Sequence, residues 1–183
     1  MRLFTGLDLP AEIVHSLDAL IAQLRPTARI KWSPPANLHV TTRFIGEWPE
    51  ERLADLRAAL GALAGHAAIS IHVRNLGFFP NPHSPRVFWA GVEGSPDLAA
   101  LAAETDGALE RLGLAPEGRP FHPHLTLARI KDTVPLQKLR ETIAALPSLE
   151  FGSFTADRFF LYHSRLGSAG SVYTKLAEFP LSK

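Results

Sequence analysis

The chain has 183 residues, 46% of them apolar, which fits one domain, or two small lobes around a shared core. Nineteen basic against eighteen acidic side chains leave a net charge of +1, so no global field would draw the protein along duplex nucleic acid. The lack of cysteine excludes disulfides, thiolate nucleophiles and cysteine-based zinc sites.

The opening MRLFTGLDLP has a short apolar stretch interrupted by Asp8 and Pro10. It reads as a strand, Leu3 to Leu7, and a turn rather than a signal peptide. Ala11 to Leu24 then sets Ile13, Val14, Leu17, Leu20, Ile21 and Leu24 on one helical face, after a proline suited to a first turn. A strand over Leu38–Ile45 and a second helix over Glu50–Leu63 follow. The longest uncharged run, Leu60 to Ile71, contains His66 and is too short to span a bilayer. The expectation is a soluble, cytoplasmic protein. A strand over Ile69–Leu76 leads to GFFPNPHSP (Gly77 to Pro85), a joint whose Phe78 and Phe79 read as core. Next come a strand over Arg86–Val92, a helix over Asp97–Leu112 entered through Ser95-Pro96, and a strand over His124–Ile130. A short helix over Leu136–Leu146 lies between Pro135 and Pro147, and strands over Phe154–Tyr162 and Ser171–Ala177 complete the chain.

This order repeats. Strand, helix, strand, helix, strand runs from residue 1 and again from about residue 86, with one strand added. Phe4-Thr5-Gly6-Leu7 lines up with Trp89-Ala90-Gly91-Val92 at an offset of 85, and at that offset His39-Val40-Thr41 falls on His124-Leu125-Thr126. These are the only His-x-Thr triplets in the sequence. A constant offset across independent landmarks points to an internal duplication, with repeats of approximately 1–80 and 86–165 plus a C-terminal strand. The expected fold is α+β: two pseudo-twofold-related lobes, each a small antiparallel sheet flanked by helices, with the active site in the groove between them.

On a strand, residues two apart share a face. Each triplet therefore projects its His and Thr together, and two facing strands would set two imidazoles and two hydroxyls around one anion. That set suits in-line displacement at phosphorus. One imidazole takes a proton from the attacking oxygen, the other gives one to the leaving oxygen, and the hydroxyls donate to non-bridging oxygens. Histidine fits because its ordinary pKa, about 6.5, lets one member be neutral and the other charged near neutral pH. A strained cyclic phosphate attacked by water needs no metal.

LHVTTRFIG (Leu38 to Gly46) and FHPHLTLARI (Phe121 to Ile130), with the opening RLFTGLDLP, resemble the 2H phosphoesterases. Within these the likeness is to the RNA 2′,3′-cyclic phosphodiesterases of bacteria and archaea, also called 2′-5′ RNA ligases. It spans essentially the whole chain; Thr42 departs from the leucine often found there, at a position expected to face inward. The resemblance implies hydrolysis of a terminal 2′,3′-cyclic phosphate to a 2′-phosphomonoester, with His39 as proton donor, His124 as proton acceptor and Thr41 and Thr126 binding the phosphate. Reversible 2′-5′ ligation is a further activity of such proteins. It also implies RNA 3′ ends or small cyclic nucleotides as partners, no cofactor, no metal, no membrane and a monomer. The alternatives are a non-catalytic RNA-end or nucleotide-binding module of the same fold, or a 2H enzyme acting on another small diester.

Phe44 and Arg129 each lie five residues beyond a triplet histidine and are repeat equivalents. A phenyl ring suits a base face and a guanidinium an anionic oxygen or a base, which makes both substrate-binding candidates. Odd spacing, however, sends them to the far face of the strand unless it twists or bulges, so spacing alone reads Phe44 as core. The family pattern favours a substrate role for Arg129. His122 could pair with His124 on a metal, but Thr126 stands where a third histidine would be needed. His83, Arg86 and His163 lie in or beside turns, and His15, His66 and His72 have no partner readable from the sequence.

Overall fold

The computed structural model describes residues 1–182. Nine strands and four helices follow one another as β1 (Arg2–Leu7), α1 (Ala11–Leu24), β2 (Lys31–Trp32), β3 (Val40–Glu47), α2 (Leu53–Gly61), β4 (Ile69–Phe79), β5 (Val87–Gly94), α3 (Pro96–Arg111), β6 (His124–Arg129), α4 (Gln137–Ala144), β7 (Glu150–Ala156), β8 (Arg158–Gly167) and β9 (Gly170–Pro180). They form two antiparallel sheets, one ordered β3-β1-β8-β9 and the other β2-β6-β5-β4-β7.

Neither sheet is built from one half of the chain alone. β4 leaves the first half to pair with β5, and β8 leaves the second half to pair with β1. The helices bury the stripes their periodicity assigns. In α1 these are Ile13, Leu17, Leu20, Ile21 and Leu24, against β7 and α4; in α3 Leu98, Leu101, Ala102, Ala108 and Leu109, against β3, β5 and α2. One continuous apolar core, from Leu3 to Leu181, runs through both halves.

The single strand expected over Phe154–Tyr162 is two strands, separated at Asp157, and they belong to different sheets. The alternation breaks there. Phe159, Phe160, Leu161 and Tyr162 are all buried, because β8 lies mid-sheet with the main core on one face and an aromatic cluster on the other. An unbroken apolar run hides such a break from periodicity.

The short strand β2, which has too few residues to show a period, links the two triplets. Lys31 pairs with Arg129 and Trp32 with Ala128, then the Ser33 backbone N–H donates to Leu127 O and its hydroxyl to Thr126 O at 2.8 Å. After Pro34 and Pro35 a 3₁₀ turn, Pro35–Asn37, brings the chain directly to His39. Thus the segment that delivers the first triplet is hydrogen-bonded to the second.

Candidate active site

Both imidazoles are anchored in the same way. His39 Nδ1 donates to Asn37 O at 2.7 Å and His124 Nδ1 to His122 O at 2.6 Å, each carbonyl lying two residues upstream and 85 from its counterpart. The anchor fixes the tautomer, leaving Nε2 as the lone-pair nitrogen of each neutral ring. His39 Nε2 is 2.9 Å from the Thr41 hydroxyl, confirming that the His and Thr of that triplet share a face. The Asn37 side chain also donates to Ser171 O, so the β8–β9 hairpin braces the turn that holds His39.

Burial pushes both imidazole pKa values below 6.5, against the opposing effect of the carbonyl anchors. The positive charge of Arg129 acts on both rings in the same direction, and His39 also responds to charge on His124. The two histidines and Arg129 therefore lie within electrostatic reach of one another. Asp8 works the other way on His39; among the described residues the charges that act on His124 are those of His122 and Arg129, both lowering its pKa.

Two matched bulges decide what else faces this site. Gly6 pairs with Thr41 and Thr5 with Arg43, so Thr42 is an extra residue in β3; Trp89 pairs with Thr126 and Phe88 with Ala128, so Leu127 is extra in β6. One extra residue shifts the alternation by one. Thr42, Arg43, Leu127 and Ala128 are consequently buried, while Phe44 and Arg129 return to the open face beside the triplets. Phe44 is 51% exposed and its ring lies 6.1 Å from that of Phe4, which corrects its reading as core. Thr42 does face inward, where its hydroxyl pairs with that of Thr5 at 2.7 Å.

The surroundings of the two histidines differ. His39 rests on an aromatic bed absent from the sequence reading: Phe4 at 4.8 Å, Tyr173 at 5.2 Å edge-on and Tyr162 at 5.9 Å. A cleft of about 360 Å³ opens beside it, lined in part by Asp8, Tyr162, Tyr173 and Lys175. Burial and Asp8 raise the Tyr162 pKa well above its ordinary value, so its hydroxyl stays protonated. Next to His124, Phe79 stands edge-on at 5.1 Å and walls that side of the site; Phe78, partly buried as well, stacks on the core residue Phe88. No repeat signal marks Tyr162, since position 77, its equivalent at the offset of 85, is a glycine covered by Trp89. His122 is exposed and contributes its carbonyl; among the described residues no group of three His, Cys, Asp or Glu side chains converges on a metal-sized point. His66 and His72, unpartnered in the sequence reading, pair with Glu104 and Glu150.

A fold of two antiparallel sheets with paired His-x-Thr strands defines a phosphoesterase-like class, and comparison with known proteins makes it specific. The chain belongs to the 2′-5′ RNA ligase superfamily, whose family model matches residues 13–167. It is 33% identical to the RNA 2′,3′-cyclic phosphodiesterase of Methanothermobacter thermautotrophicus, over 99% of both chains. Among solved structures, TT0787 of Thermus thermophilus superposes with a TM-score of 0.85 at 35% identity, covering 99% of this chain and 98% of that one. E. coli LigT complexed with 3′-AMP gives 0.80 at 28% identity, covering 100% and 98%. Among the described residues no helix is long and apolar enough to cross a membrane.

Proposed function

We propose that the protein hydrolyses the 2′,3′-cyclic phosphate at an RNA 3′ end to a 2′-phosphomonoester, and that His39 and His124 are its acid and base. The observation that carries this reading is the matched anchoring of the two imidazoles, which frees Nε2 of each, with His39 within reach of charge on His124. The names of the relatives support the same substrate class. Water attacks phosphorus and passes its proton to His124 Nε2. The P–O3′ bond breaks, and O3′ takes a proton from His39 Nε2. Burial disfavours the imidazolium at both rings, so the division of roles rests on the family resemblance and on Asp8, the one charge at His39 that favours its protonated form. Thr41 and Thr126 donate to the non-bridging oxygens as negative charge builds. Arg129 contributes a fork of donors to the anion or base, and Phe44 a ring on which the terminal base stacks.

With a ribose hydroxyl in place of water the same groups would perform 2′-5′ ligation. The matched bulges at Thr42 and Leu127 support an ancestral duplication of residues 1–80 into 86–165, within a single bilobal domain. One chain supplies both histidines, so a monomer suffices for the reaction, and the cytoplasm is its proposed location.

The test is turnover of cyclic nucleotides and of short RNAs ending in a 2′,3′-cyclic phosphate, with products scored as 2′- or 3′-monophosphate. A 2′ product formed in excess EDTA is expected. Binding without turnover would identify an end-binding module instead, and turnover confined to another small diester would move the substrate class.

A further inference from the structure

Lys31 and Arg129 stand directly opposite each other on β2 and β6. Opposed residues of an antiparallel pair share a face. In the next row inward Ala128 and Phe88 lie in the core and the partly buried Trp32 packs on it, its ring edge-on to Phe88 at 6.0 Å. The outer row therefore carries two exposed cations side by side on the face of the triplets. Like charges so placed destabilise a sheet. Among the described residues neither has a carboxylate within ion-pair distance to offset this. Arg129 reaches the two imidazoles electrostatically, and Lys31 extends the positive charge one strand spacing further out. Its ammonium lies against the turn of the β8–β9 hairpin of the other sheet, where a Cβ on Gly170 would sit 3.3 Å from Nζ. The cation pair thus ends at the point where the two sheets approach.

We infer that Lys31, beside Arg129, seats the phosphate on the 5′ side of the terminal nucleotide, so that the groove reads an RNA end as two successive phosphates rather than one. This rests on the proposed cyclic phosphodiesterase activity, because the cyclic phosphate must occupy the histidines for the next anion to fall outside them. One ribose separates the two phosphates, which fits a second cation one strand spacing from Arg129, at the β8–β9 turn. The net charge of only +1 agrees with an anion seat confined to the end of the strand.

The experiment compares Lys31→Gln with the parent protein on three substrates: adenosine 2′,3′-cyclic phosphate, the same nucleotide bearing a 5′-phosphate, and a tetranucleotide ending in the cyclic phosphate. Turnover of the first should change by less than about twofold. For the second and third kcat/KM should fall about three- to tenfold, through KM, as expected for loss of one partly screened charge-assisted contact. The plot of log kcat/KM against log salt for the tetranucleotide should flatten by about 0.7, the share of one phosphate on a single strand. Equal losses on all three substrates, or none on the phosphorylated pair, would overturn the assignment, and so would a loss seen with the tetranucleotide alone. Should the parent protein turn over none of them, the proposed activity fails on its own. Titration of the corresponding 2′-monophosphates, read for the same substrate contrast and salt slope, would then decide the role of Lys31.

Discussion

Burial lowers the proton affinity of His39 and of His124, so in the free protein at neutral pH both rings are mainly neutral and the proton donor is created as the anion binds. The rate against pH should be a bell for both kcat/KM and kcat, because one ring must be charged and the other neutral. The free-protein bell, seen in kcat/KM, should peak below pH 6.5. The kcat bell should lie higher, since a bound phosphate favours the imidazolium. Coincident bells would mean that the anion does not sit between the rings. Alanine at either histidine should cost on the order of a hundredfold to ten-thousandfold, and the double variant should be little worse than the more damaged single one. Arg129→Lys should be nearly as harmful as Arg129→Ala, since a point charge lacks the planar fork; recovery of most activity by lysine would reduce Arg129 to a field effect. The correspondence of His39 with His124 was legible in the sequence because both triplets share the offset of 85, and their anchoring carbonyls at Asn37 and His122 keep the same offset. Phe4, Tyr162 and Tyr173 were not, because their approach to His39 depends on strand pairing across separate parts of the chain.

The same limit governs the elements. Period-two alternation locates β3 and β6 but cannot announce a bulge at a threonine or a leucine, and it was the bulge that turned Phe44 outward and Arg43 inward. Arg43 is the consequence at this scale. Its Nε donates to Asp106 in α3 at 2.7 Å, one terminal nitrogen to Ala115 O at 2.8 Å, and the other to the Phe44 carbonyl. Asp106 in turn accepts from the Glu117 N–H at 3.1 Å. One buried guanidinium therefore ties β3 to α3 and to the segment leading into His122 and His124. No sequence pattern foretold this, because the partner lies 63 residues away. Arg43→Ala strands a carboxylate that is mostly shielded from water, and loss of one partner of such a pair costs about 3–5 kcal/mol. Chemical denaturation should show a midpoint lowered to match at unchanged m-value. A loss within about 1 kcal/mol would mean that the network is solvated and does not hold the segment.

At the scale of the whole molecule, the offset told which residues correspond but not which strands pair, because β4 and β8 can lie in either sheet without disturbing it. Their exchange gives a single core through both halves, so the charge state of the groove is coupled to the folding of the entire chain. Both triplet histidines have folded pKa values below the unfolded value of about 6.5. Above pH 6.5 neither state is protonated and the two contribute no slope. As pH falls through 6.5 the unfolded chain takes up protons first, so stability declines until the folded rings are also charged. The His39→Gln, His124→Gln double variant should lose less stability than the parent between pH 7 and pH 5. A bound phosphomonoester reverses the sign at the site, because it favours the imidazolium that burial disfavours. Binding of adenosine 2′-monophosphate should therefore take up protons and tighten as pH falls from 7.5 toward 6.5. The double variant should bind more weakly and without that uptake. Calorimetry in buffers of different ionisation enthalpy reads the proton count directly. No uptake by the parent protein would place the monoester away from the two histidines, and the two-imidazole mechanism would fail with it.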